Sequence, residues 1–162
     1  MAFTDANINY VTKWNTLVTL LRDNSTTLNA DLTEATITNT TNQIKPGIPT
    51  RTPQFRGLYP MVLVALNNKT EDWHNLGAAG RKYPIINFRI WAMIKMRKGA
   101  VETLQETAYL AGSIEEVFRS NTKISGVALW SQPTETDFGI NEANKIYIGT
   151  AIIDMEMTVK IE

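Results

Sequence analysis

The stretch that decides the fold runs from Tyr83 to Arg97, YPIINFRIWAMIKMR. Ile86, Phe88, Ile90, Ala92, Ile94 and Met96 occupy every second position, with Asn87, Arg89, Lys95 and Arg97 between them. A period of two is the spacing of a strand with one face in a core and the other mostly wet. At ~3.3 Å per residue the strand reaches nearly ~50 Å, well beyond ordinary strand lengths, and long strands often extend past their core to meet a neighbour.

Upstream, Leu58 to Leu66 is apolar on both alternating sets, as expected for a strand covered on both faces. Residues 67–82, mixing Asn, Lys, Glu, Asp and Gly, read as a projecting connector between these two strands. Downstream, Gly99 ends the alternation, and Val101, Leu104, Ala108, Ala111, Ile114 and Phe118 return to spacings of three and four. That predicts an amphipathic helix, with Glu102 and Glu106 at the positive end of its dipole and Arg119 at the negative end.

Gly126 to Gln132 reads as a short strand, residues 133–144 as a turn-rich, projecting connector, and Lys145 to Glu162 as a final long strand. In that last strand Tyr147, Ala151, Ile153, Met155, Met157, Val159 and Ile161 share one face, against Asp154, Glu156, Lys160 and Glu162 on the other. The basic face of the Tyr83–Arg97 strand and the acidic face of the last one would suit each other as neighbours.

At the N-terminal end, Ile8, Val11, Trp14, Leu17, Val18 and Leu21 form a helical stripe, with Asp5 or Asn7 available as a cap. Residues 24–57 are rich in Thr and Asn and close on Pro46, Gly47, Pro49 and Pro53, so they read as an extended arm. The expectation is one α+β domain over residues 1–162, in the order α-β-β-α-β-β. It has a mixed or antiparallel sheet of about four strands, two helices on one face and long extended loops.

Composition narrows the chemistry. The 162 residues are 43% hydrophobic and 20% charged, ordinary for a globular domain with one core. Sixteen basic residues balance sixteen acidic ones, so no long-range field draws the chain to nucleic acid or an anionic membrane. Cysteine is absent, which removes disulfides, thiolate nucleophiles and thiolate metal ligands together. No basic start with an apolar run marks a signal peptide, and no run reaches membrane-spanning length, so a soluble product made in the cytoplasm is expected.

His74 is the single histidine, too few for a zinc site in a chain without cysteine. No G-x-S-x-G elbow surrounds any serine, and Gly77-Ala78-Ala79-Gly80-Arg81-Lys82 lacks the ending of a phosphate loop and precedes a strand. Adjacent Glu115 and Glu116 point about 100° apart on a helix and cannot share one substrate. The reading is a protein that is not an enzyme and carries no metal or cofactor. A competing class, a small-molecule or catalytic α+β domain, would use a pocket between sheet and helices lined by Tyr59, Trp91, Trp130 and Tyr147.

The candidate protein-contact residues are Trp73 and His74 in the polar connector, Arg89 and Arg97 on the basic strand face, and Asp154 and Glu156 on the acidic one.

This layout resembles the tail-terminator and tail-completion proteins of long-tailed bacteriophages, of the minor tail protein U type. The resemblance rests on the helix from Ile8 to Leu21, the Leu58-Tyr59-Pro60-Met61-Val62-Leu63-Val64 strand, the Tyr83–Arg97 strand, the helix ending in Arg119-Ser120-Asn121, and the last long strand. It implies a virion structural protein, synthesised in the host bacterial cytoplasm. Such a protein forms a hexameric ring on the head-proximal end of the tail tube and stops tube polymerisation, and the resemblance leaves open whether it is a monomer when free. The implied partners are further copies of the chain, the tail tube protein and a head-completion or neck protein, with DNA passing through the ring without sequence-specific binding. Another neck or tail-tube protein of the virion is the nearest alternative.

Overall fold

The computed structural model describes residues 8–37, 40–49, 59–73, 82–124 and 126–159. Its elements are α1 (Tyr10–Asp23), α2 (Ser25–Asn29), α3 (Thr40–Gln43), β1 (Ile44–Pro46), β2 (Met61–Trp73), β3 (Lys82–Met96), α4 (Ala100–Ser120), β4 (Trp130–Ala143) and β5 (Ile146–Thr158). The strands form one five-stranded sheet in the order β1-β2-β3-β5-β4. Only β1 runs parallel to its neighbour. This is the α+β class expected, with one strand more than foreseen.

β3 lies at the centre because its alternation serves a sheet covered on one side. Ile86, Phe88, Ile90, Ala92 and Ile94 are fully buried against the helices, together with Ala151, Ile153, Met155 and Met157 of β5. Leu17 and Leu21 of α1, and Leu110, Ile114 and Phe118 of α4, close that core from above. The alanines aside, each such side chain contributes roughly 1.5–3 kcal/mol by leaving water.

α1 is capped by Asn9, whose side chain accepts from the Thr12 N–H at 3.0 Å. Asp5 and Asn7, the caps expected, lie outside the described residues. Two polar ties fix α1 to the sheet: the Trp14 indole N–H donates to the Val64 carbonyl at 2.8 Å, and Arg22 Nε to the Ile44 carbonyl at 2.8 Å.

Several segments differ from expectation. Within 24–57, Leu28, Ile37 and Ile44 are buried in the main core, so the described part of this segment is folded onto the domain and is no free arm. Asn29 fastens it by accepting from the Ile37 N–H at 2.7 Å and donating to the Ile37 carbonyl at 3.0 Å. The 67–82 connector is shorter than foreseen: β2 continues to Trp73, β3 begins at Lys82, and 74–81 lie outside the described residues. Residues 133–144 do not form a connector. They belong to β4, and the hairpin to β5 turns on Asn144 and Lys145, both with positive φ, the pattern of a tight two-residue hairpin turn.

Residues 126–129, the first part of the expected Gly126–Gln132 strand, precede β4 as a turn. α4 spans the predicted helix, yet Val101, Leu104 and Ala108 of its expected stripe face outward. In their place Thr103 and Thr107 pack on Gly149 of β5, where a Cβ would have no room.

Candidate protein-contact surface

The sheet face opposite the helices carries three of the predicted contact residues, Arg89, Asp154 and Glu156. Arg89 of β3 lies directly opposite Asp154 of β5, and the guanidinium forks onto the carboxylate through Nε to Oδ1 at 2.7 Å and Nη2 to Oδ2 at 2.9 Å. The hydrogen bond to Asp154 comes first in holding the Arg89 guanidinium above its ordinary value. Desolvation opposes it, and the charges of Asp154, Asp137 and Glu135 add to it. Glu156 sits in the same row, between Asn87 on β3 and Gln132 on β4. The basic and acidic faces are therefore neighbours, joined across the sheet by the Arg89–Asp154 pair.

The other candidates are scattered. Arg97 follows β3 and lines an open cleft of about 400 Å³ with Glu34, Ala35, Lys95, Met96 and Lys98, in which Lys98 pairs with Glu34. Trp73 is the last residue of β2, opposite Lys82, and so stands at the far end of the β2–β3 hairpin from Arg97. His74 lies outside the described residues. The five of these six residues that are described do not converge on one site.

Nor do the four residues of the imagined pocket meet. Tyr59 and Trp91 pack with Met61 around Leu63, Met93 and Ile148, a small second cluster on the face away from the helices. Lys95 Nζ sits 5.3 Å from the centre of the Tyr59 ring, and burial raises the Tyr59 hydroxyl pKa. Trp130 is 52% exposed at the start of β4, and Tyr147 points toward the helix side. A pocket between sheet and helices lined by all four does not form. Among the described residues no group of three or more His, Asp or Glu could hold a metal ion.

What sequence reasoning missed is most of β4, since the expected Gly126–Gln132 strand overlaps it only from Trp130 to Gln132. It is the outer strand of the sheet, with β5 on one side and no strand on the other among the described residues. Its side chains stay open: Phe138 is 50% exposed and Ile140 38%, both on the helix side, while Glu135, Asp137 and Asn141 line the opposite side. Thr136 donates to Glu115 of α4 at 2.6 Å, which seats the helix beside the strand. Counting back along α4 from Glu115 by whole turns reaches Ala108 and Leu104, both exposed, beside the Phe138 and Ile140 end of β4. Phe138 and Ile140, two apart, were the available signal, masked by Pro133, Gly139 and the acidic residues around them.

No family model matches the chain, and no curated protein does. Among solved structures it is similar to a chain from the virion of a native gene transfer agent particle, at 10% identity and a TM-score of 0.43. The match covers 93% of this chain and 99% of that one. A likeness of that size assigns no role. Among the described residues no helix is long and apolar enough to cross a membrane.

Proposed function

We propose that this chain is a structural subunit that works through contacts with other protein chains, and that its place is in a phage-type virion. The observation that carries the reading is the edge of β4, fourteen residues long, unpaired among the described residues and carrying exposed Phe138 and Ile140. An unpaired edge offers a row of N–H and C=O groups to another strand, and apolar side chains beside it add area that water disfavours. Natural edges are usually short, charged with lysine or covered. β4 is long, has no lysine, and keeps its single Pro and its bulge at the Pro133 end.

Within that class the chain is a tail-terminator-like protein. It forms a ring on the head-proximal end of a tail tube, stops tube growth and offers a joint to the head or neck. The layout of helices and long strands supports this, and a net charge of zero suits a ring through which DNA passes without being retained. Negative-stain electron microscopy of the protein mixed with tail tubes from the phage that encodes it tests the reading. Rings, or density capping one tube end, are expected; bare tubes beside dispersed protein would overturn it.

A further inference from the structure

We infer that, away from any tube, two copies of this chain join edge to edge through β4, antiparallel about a two-fold axis at Gly139, and extend the sheet across both copies. A two-fold axis perpendicular to a sheet keeps both sets of helices on one side, and it places residues opposite each other whose numbers have the same parity. Which pair sits on the axis then follows from the side chains.

Centred on Gly139, the pairing sets Phe138 opposite Ile140 of the second copy, and Ile140 opposite its Phe138. Both half-exposed apolar side chains of the edge gain an apolar partner. On the other face Asp137 meets Asn141, whose amide can donate to it, and Glu135 meets Ala143; on the helix side Glu142 meets Thr136. No carboxylate of this strand faces another, although the strand carries Glu135, Asp137 and Glu142 and no cation. Moving the axis to Ile140 would set Phe138 against Glu142. Moving it to Phe138 would set Ile140 against Thr136. Moving it to Asp137 would bring two aspartates together. Only the Gly139 register gives both apolar residues apolar partners while separating the acids, and register follows that pattern.

Among the described residues nothing lies within 4 Å of where a Cβ of Gly139 would stand, so the axis position is sterically open. Arg89, close enough to Glu135 and Asp137 to feel their charge, offsets the acidity of the edge from within each copy. An edge can be occupied only once. The dimer is therefore a resting form, exclusive of any assembly that uses β4 for another contact.

The chain lacks cysteine, so one introduced thiol reports the register directly. Under mild oxidation Gly139→Cys is expected to form a disulfide-linked dimer, because only residues on the axis come within disulfide reach of their own copy. Gly112→Cys, at an exposed position on α4 that is equally open, is expected to remain monomeric on a non-reducing gel. Light scattering behind a sizing column, from roughly 1 to 100 µM, should show twice the monomer mass for the native chain. The double variant Phe138→Lys, Ile140→Lys should shift it to monomer with its circular dichroism unchanged. A native chain that stays monomeric throughout overturns the inference. So does a dimer that survives the double lysine variant, or one in which Gly139→Cys forms no more disulfide than Gly112→Cys.

Discussion

Glu106 of α4 holds Thr33, seventy-three positions earlier, by a carboxylate that accepts from the Thr33 N–H at 3.0 Å and from the Thr33 hydroxyl. The Glu34 and Ala35 N–H groups add longer contacts of 3.4 Å. Burial pushes this carboxyl upward, but the hydroxyl and the three backbone donors outweigh it and hold the pKa below the ordinary glutamate value. The carboxylate does for an irregular loop what a helix cap does for a first turn, satisfying donors that no regular element pairs.

Glu106→Gln is expected to cost about 1–3 kcal/mol at neutral pH, since an amide supplies one neutral acceptor and turns a donor toward donors. With the folded pKa lowered, the contribution is complete above the unfolded value of about 4.3 and is lost as pH falls through the folded value. The gap in melting temperature between native chain and variant should be wide at pH 7 and shrink toward pH 3. A gap that stays constant would show that the charge is not what holds the loop.

Gly149→Ala is expected to destabilise by about 1–3 kcal/mol, because the added Cβ would overlap the Thr107 hydroxyl and stand 3.2 Å from the Thr103 carbonyl oxygen. Urea unfolding measures this. Adding Thr107→Ala should recover only part of the loss, since the backbone carbonyl cannot move away as a side chain can.

How far the sequence could be read follows from where periodicity was clean. β3, β5 and α4 were legible because long alternating or helical patterns survive single exceptions, and the opposite charges of two strand faces suggested that they were neighbours without fixing Arg89 and Asp154 as the pair. β4 was not legible. Its Pro133, Gly139 and acidic residues carry turn chemistry, its bulge between Pro133 and Glu135 breaks the period, and its hairpin turns on Asn144-Lys145 without the glycine that usually marks such a turn. The outward face of α4 was misjudged for a related reason. Thr103, Glu106 and Thr107 are buried by specific partners, Gly149 and the Thr33 loop, that only the fold brings near.

Ser113 of α4 is buried and, among the described residues, its hydroxyl has no hydrogen-bond partner. Ser113→Ala removes an unsatisfied group and improves helix propensity, so a gain of roughly 1–2 kcal/mol is expected. Thermal unfolding should show a rise in melting temperature; a fall would mean that the hydroxyl takes part in an interaction that the folded chain uses elsewhere.

Lys145→Gly should stabilise as well, by about 0.5–1 kcal/mol, because Lys145 holds φ at 61° where glycine adopts the same backbone without its Cβ being crowded. Asn followed by Gly is the favoured pair for a two-residue turn of this kind, and the substitution creates that pair behind Asn144. The benefit belongs to the folded state, set against the greater freedom glycine gives the unfolded chain. Urea midpoints of the native chain and Lys145→Gly, read beside Lys145→Ala, separate the two effects. Alanine keeps the Cβ at positive φ and should bring no gain, while equal midpoints for glycine and alanine would place the strain somewhere other than this turn.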